Sequence, residues 1–387
     1  MDNIWSKNKY INMLINCLLF LVGINFLHYG QLFLPVICLI LFIDNKLQFK
    51  VNNPKVFILL CLFAISFYAF SYKLGFYSVM GFTFPMAYYI GCNMKEVKEN
   101  NIKKIIYLFA FAMGFHIVLN LIYEISTKGF ERLINSSSHY DFWTRDRISS
   151  TIVALNFSYL ASMFYYINVY ENNKGIKCLY FITFAFDFLF CLVTGRRTTL
   201  LLLFACFIFS IIYDNYHNKR NNYKKYLNLF LYCLIVVIII FLFLYFDFGG
   251  IYSMFDGFYI IEKLKRGLDS NRFQIFLDFL KLAPNHLWGG QEISNILQTQ
   301  IHDLWSDVYD YAGIITWLLM LIYSIHYLMI IIKLYKTKVK DKILFLSLFL
   351  AITIQMFLEP MMSGASLFLI ISIIVGTLIE KLLDCEL

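Results

Sequence analysis

Apolar stretches of roughly 14 to 28 residues, separated by short polar clusters, run the length of this chain, and they match the ~20 residues that an α-helix needs to cross hydrocarbon. Hydrophobic residues fill 60% of the 387 positions and charged residues 15%, too few charges to coat a water-soluble protein of this size. Lipid offers backbone groups no hydrogen-bond partner, so open sheets are excluded and helices remain. The net charge of +8 could suggest nucleic acid, but the lysines sit in clusters between apolar blocks, the pattern that orients spans. No nucleic-acid partner is expected. The N-terminal apolar stretch lacks a small-residue cleavage site and further spans follow at once, so it reads as a first span.

The blocks place spans at about 10–28, 31–44, 56–72, 75–92, 105–124, 151–170, 176–193, 198–213, 226–246, 305–332, 343–358 and 366–382. The second is short and contains Pro35; if it only dips into the membrane, every later span reverses. Positive charge supports the full count. With both termini inside, most of the 33 lysines and arginines fall on the cytoplasmic side. The expected fold is an all-α polytopic membrane protein, one membrane domain over residues 1–387 with about twelve transmembrane helices. An outer loop covers 125–150, and a large extracytoplasmic loop covers 247–304. Neither loop contains a cysteine, so the nine cysteines read as small apolar residues in or beside spans rather than a disulfide framework.

Arginine segregates from lysine. Arg132, Arg145, Arg147, Arg196, Arg197, Arg266 and Arg272 fall outside, whereas Arg220 lies inside. Arginine's planar fork grips phosphate or carboxylate with two parallel hydrogen bonds. Snorkelling or pairing with loop acids would account for any one of them. Loop 125–150 adds Glu131, His139, Tyr140, Asp141, Trp143 and Asp146, a mixture suited to sugar or phosphate. In the larger loop, NRFQIFLDFLKL sets Phe273, Ile275, Phe276, Phe279, Leu280 and Leu282 mainly on one side of a helix lying on the membrane surface. Pro284, Gly289 and Gly290 then turn the chain back.

Two short constellations could carry chemistry. TGRRTT, residues 194–199, is a tight turn between spans that would hold Arg196 and Arg197 at head-group level, where a lipid-linked phosphate fits; an interfacial anchor would look the same. IHDLWSDVYDY, residues 301–311, clusters His302, Asp303, Asp307 and Asp310 at the start of a span, where the helix dipole favours carboxylates. Capping explains Asp303 and Asp307 without catalysis, whereas His302 can exchange protons near neutral pH. Trp305, Tyr309 and Tyr311 also fit as interfacial aromatics. Asp187, deep in a span, is functional or paired with His116 or Asn120, and Glu359 before Pro360 could face the same cavity. No CxxC, HExxH or P-loop occurs, so neither a metal nor a cofactor is expected. A reaction on the outer face would draw on a pre-activated, lipid-linked donor.

In these residues the chain resembles the O-antigen polymerase and ligase superfamily, membrane glycosyltransferases acting on undecaprenyl-diphosphate-linked sugars. A small-Gly-x-Arg turn is similar to Gly195 and Arg197. An arginine opening an amphipathic segment, followed by proline and a glycine turn, is similar to Arg272, Pro284, Gly289 and Gly290. A histidine heading the next span, with an aromatic residue and then glycine, is similar to His302, Trp305 and Gly313. Arg196 stands where the family usually has a small polar residue, Asp303 where ligase-like members often have asparagine, and the two glycines are adjacent; these departures bear on the ligase reading more than on the superfamily.

The resemblance implies a GT-C-like helical fold and an inverting, metal-independent transfer at the outer face of a bacterial cytoplasmic membrane. Arg197 and Arg272 would stabilise the leaving diphosphate and His302 would take the acceptor proton. Arg196, Arg145, Arg147, Asp303 and Trp305 would bind substrate. The implied partners are the polyprenyl-diphosphate-linked oligosaccharide, membrane lipid, a chain-length regulator and a flippase. Polymerisation of repeat units into O-antigen or capsular polysaccharide is favoured over ligation to lipid A core or protein. A polysaccharide flippase or secondary transporter is the rival class; it calls for half-chain repeats, interrupted helices and several midplane charges, of which Asp187 is evident. A membrane acyltransferase would show a His-centred acyl-handling motif.

Overall fold

The computed structural model describes residues 2–71, 79–94, 98–129, 139–148, 150–194, 197–218, 272–299, 301–359 and 366–386. Helices dominate: α1 (Asp2–Gly23), α2 (Phe33–Asp44), α3 (Pro54–Ser71), α4 (Thr83–Asn93), α5 (Glu99–Lys128), α6 (Ser150–Val169), α7 (Lys174–Val193), α8 (Arg197–Asn218), α9 (Arg272–Leu282), α10 (Glu292–Leu297), α11 (Leu304–Lys336), α12 (Lys342–Leu358) and α13 (Ser366–Glu386). Each expected span coincides at least in part with a helix, except 226–246, which lies outside the described residues together with Arg132, Gly195, Arg196, Arg266 and Pro360. Six helices among the described residues are long and apolar enough to cross a membrane. They are α3, α5, α6, α8, α11 and α13, and the protein is a helical membrane protein on that basis.

Boundaries differ from the apolar blocks where backbone geometry intervenes. The first helix stops at Gly23 rather than residue 28, because Asn25, Leu27 and His28 take positive φ and wind a tight 3-10 turn. Pro35 falls in the first turn of α2, where its missing N–H breaks no helical hydrogen bond. The fifth helix runs on to Lys128, so the loop expected from 125 begins one turn later.

The chain divides into two compact units. The first comprises Met1–His116, Ser270–Lys342 and Ile352–Leu387, and the second Ile117–Asp269 and Ile343–Ala351. In the first, α3 packs along α11, and α4 lies against α2, α3 and α13. One face of α11 carries Ile315, Leu318, Ile322, Ile325, Met329 and Ile332, all exposed and spaced by three and four. Leaving six such side chains in water would cost on the order of 10 kcal/mol, whereas lipid accepts them. In the second unit α6 packs against α7 and α8. The Tyr180 hydroxyl donates to Leu160 O at 2.7 Å and the Ser347 hydroxyl to Ser162 O at 2.9 Å, inside a core of Phe157, Phe164, Phe184 and Phe188.

The expected single span at 305–332 is in fact two helical segments. Gly313 (φ 75°, ψ −176°) leaves the helical region inside α11. The Trp305 indole N–H donates to Ser324 Oγ at 3.0 Å across 19 positions, which a straight helix would hold about 28 Å apart. Residues 304–312 therefore fold back alongside 314–336, and Leu304 lines one apolar cavity with Leu319, Met320, Tyr323 and Tyr327.

Candidate functional site

The fold-back is held by the chain that precedes it. Ordinary α-helix would send the Ile314 N–H to Asp310 O; instead it donates to Leu287 O at 2.9 Å. The freed carbonyls accept from the same incoming segment, Tyr311 O from Gly290 N–H (2.9 Å) and Asp310 O from Gln291 N–H (2.8 Å). This exchange brings main chain against main chain. A β-carbon at Gly289 (φ 77°) would lie 2.6 Å from Gly313 N and 2.7 Å from Ala312 N, so neither side of the contact has room for a side chain. Gly289 and Gly313 of the family-like pattern thus act as one structural device.

Side chains lock the same joint. Asp310, buried, accepts from Ile293 N–H (3.0 Å) and Ser294 N–H (3.2 Å), and the Ser294 hydroxyl donates to it at 2.5 Å. It caps α10 from a different helix. Phe279, Ile293, Ile301 and Tyr309 form a buried cluster, and the Tyr309 hydroxyl donates to Ala283 O at 2.6 Å. The amphipathic helix expected at 272–282 is present. Phe279 faces this core, while Phe273, Phe276 and Leu280 are exposed and form a second apolar face suited to a membrane surface.

Arg272 opens that helix and reaches the end of α12. Its Nη1 donates to Leu358 O at 2.8 Å, and its Nη2 stands 3.8 Å from the fully buried Glu359 carboxylate. The next residue back, Phe357, packs its ring 4.6 Å from the Trp305 ring. Residues 357–359 therefore join Arg272 to the folded-back segment, which His302 and Asp303 precede in the chain. His302 is half-buried. Asp303 is the N-cap of α11, its carboxylate accepting from Ser306 N–H at 2.8 Å; burial raises its pKa, and the Ser306 hydrogen bonds oppose the rise. The guanidinium is one-third exposed, and a guanidinium carries five N–H donors in all. Glu359 is the member that the sequence understated. Nothing but its place at the end of an apolar block marked it.

The second unit carries the other expected residues. Arg197 begins α8. His139–Tyr140 pairs antiparallel with Arg147–Ile148, and the intervening turn is organised by buried Asp141, which accepts from Trp143 N–H (2.8 Å) and Thr144 N–H (3.1 Å). This hairpin is fixed to α5 by main-chain N–H groups: Tyr140 donates to Glu124 Oε1 at 2.5 Å and Phe142 to Asn120 Oδ1 at 2.8 Å. His139 Nδ1 lies 3.5 Å from Glu124, with both groups buried. Arg145 and Arg147 are exposed on the hairpin, Arg145 with a positive φ of 62°. The hydrogen bond from Arg147 holds the Tyr140 phenol below its ordinary pKa, helped by the Lys128 ammonium over the ring. Asp187 is fully buried, and among the described residues neither of its oxygens has a hydrogen-bond partner, Asn120 included.

No grouping of His, Cys, Asp and Glu able to hold a metal occurs among the described residues. No protein-family model matches the chain, and no curated protein matches it.

Proposed function

We propose that this chain is a membrane glycosyltransferase that joins polyprenyl-diphosphate-linked oligosaccharide units into O-antigen or capsular polysaccharide at the outer face of a bacterial cytoplasmic membrane. In this reading the fold is GT-C-like with about twelve spans, and both termini are cytoplasmic. The observation that carries it is Arg272, a partly exposed guanidinium oriented by Leu358 O and Glu359, beside the folded-back segment led by His302. Such a cation, fixed before substrate arrives, is what a departing diphosphate requires.

The acceptor hydroxyl oxygen attacks the anomeric carbon on the face opposite the diphosphate. The bond from that carbon to the diphosphate oxygen breaks, its electron pair leaves with the lipid diphosphate, and the charge is met by Arg272. The hydroxyl proton passes to His302, and the configuration inverts. Arg197, Arg196, Arg145, Arg147, Asp303 and Trp305 keep the roles that the resemblance implies, as do the chain-length regulator and flippase as partners.

A second reading, a flippase or secondary transporter, is favoured by one observation: the helix interrupted at Gly313, a feature of transporter binding sites. Reconstitution of the purified protein with a defined lipid-linked repeat unit separates the readings. Chain extension without an added acceptor is expected. Transfer solely to added lipid A core or protein would select the ligase, and movement of the lipid-linked unit across the bilayer without extension would overturn the transferase.

A further inference from the structure

In the same unit, α11 and α13 face each other through a ladder of ionisable pairs. At the lysine-rich end of α11, Lys333 Nζ stands 3.7 Å from Asp384 Oδ1, with both about half exposed. One turn further along α13 and two turns further along α11, His326 Nε2 stands 3.3 Å from Glu380 Oε1, with side-chain exposures of 12% and 5%. The spacing from Glu380 to Asp384 and from His326 to Lys333 keeps each pair on one helical face, so polarity grades from the solvated end into the apolar core. From α4, the Tyr88 hydroxyl donates to Glu380 Oε2 at 3.4 Å, and the Cys92 thiol belongs to the same surroundings. On α11 the Tyr323 ring lies 6.3 Å from the His326 ring. Lys381 is engaged elsewhere, donating to Cys92 O (2.7 Å) and Met94 O (3.0 Å). The partner of Glu380 is thus an imidazole and not a permanent cation.

We propose that His326 and Glu380 form a proton-binding site within the membrane-spanning part of this unit, reached from the lysine-rich end along the Lys333–Asp384 pair. A carboxylate surrounded by hydrocarbon is costly without a cation, so the pair gains most when the imidazole is charged. Imidazole is the side chain that changes charge near neutral pH. One proton from bulk water adds to the ring nitrogen that lacks one and converts a net-negative pair into a neutral one; no bond other than N–H forms. The Tyr88 hydrogen bond spreads the carboxylate charge in either state. The proposed glycosyl transfer uses no proton from this end, so the site stands independently of that reading.

The test uses full-length protein in nanodiscs with nitrogen-15-labelled histidine, titrated from about pH 5 to about pH 9. The His326 signals are assigned by their loss in His326→Gln. His326 is expected to take up one proton inside this window, and its midpoint is expected to move in Glu380→Gln. A ring that keeps one protonation state throughout, or a midpoint unmoved by Glu380→Gln, overturns the site. Glu380→Asp retains the carboxylate and is expected to titrate close to the parent; should the glutamine variant fail to fold, a ring locked in one state in both parent and Glu380→Asp is decisive against it. In proteoliposomes, a pH step on the lysine-rich face alone is expected to shift the His326 signal, and a response confined to the opposite face overturns the proposed path.

Discussion

Gly289 and Gly313 meet backbone to backbone, so closely that a β-carbon on Gly313 would lie 2.8 Å from the carbonyl carbon of Trp288. Both glycines take positive φ, and hydrogen bonds to Leu287, Tyr311 and Asp310 run past them on either side.

Alanine at either glycine is therefore expected to destabilise the protein by about 3 kcal/mol, combining left-handed strain with the clash. Gly290→Ala, with a similar φ but open space around it, is expected to cost about 1 kcal/mol. Thermal unfolding in detergent measures this. Equal shifts for all three variants would mean that strain alone, and not the close approach, matters.

The fold-back itself is open to a direct test. Trp305→Cys combined with Ser324→Cys, in a background cleared of other cysteines, is expected to be bridged by a short bis-thiol crosslinker, since the indole reaches farther than a disulfide can span. An unbroken helix would keep the two thiols about 28 Å apart and give no crosslink.

Arg272→Ala and His302→Ala, together with Arg197→Ala, are each expected to abolish long surface glycan while single-repeat product and protein level persist. Loss of one preorganised donor typically reduces turnover by about 100-fold to 1000-fold. Normal glycan ladders in all three would remove these residues from the mechanism. Arginine-to-lysine changes refine the point, since full activity in Arg272→Lys or Arg197→Lys would mean that charge suffices without two-point contact.

The hairpin supplies a pH-dependent observable. Tyr140 is held below the ordinary phenol range by Arg147, so its phenolate should form at lower pH than a free tyrosine's. Arg147→Ala should move that ionisation upward. Difference absorbance against Tyr140→Phe reads the transition, and an unmoved titration would show that Arg147 is not the cause.

Much of the fold was legible because hydrocarbon imposes a length and a composition. Helices such as Pro54–Ser71 and Ser366–Glu386 stand close to where their apolar blocks put them. The amphipathic stretch from Arg272 was equally readable, since six apolar side chains on one side of a helix leave few alternatives. The break at Gly313 was not. Apolar residues continue on both sides of it, so periodicity reports one long helix, and the cause lies in Leu287–Gln291, whose backbone supplies the replacement hydrogen bonds. Asp303 could be read locally as a cap. Asp310 could not, because it serves a helix sixteen positions upstream, nor could Glu359, which meets Arg272 across most of a hundred residues.

The doubled-back segment before Gly313 has a consequence for how the chain is threaded into the bilayer. Because Leu287 O accepts from Ile314 N–H, the chain before and after this segment stands at one level, so the segment is expected to add no crossing of its own and residues 314–336 to make the passage. An inserted reporter near residue 285 and another near 313 should emerge on one side together, and a third beyond 336 on the other. If the reporters emerge in that way, the long apolar run is one passage through the membrane with a blind alley attached.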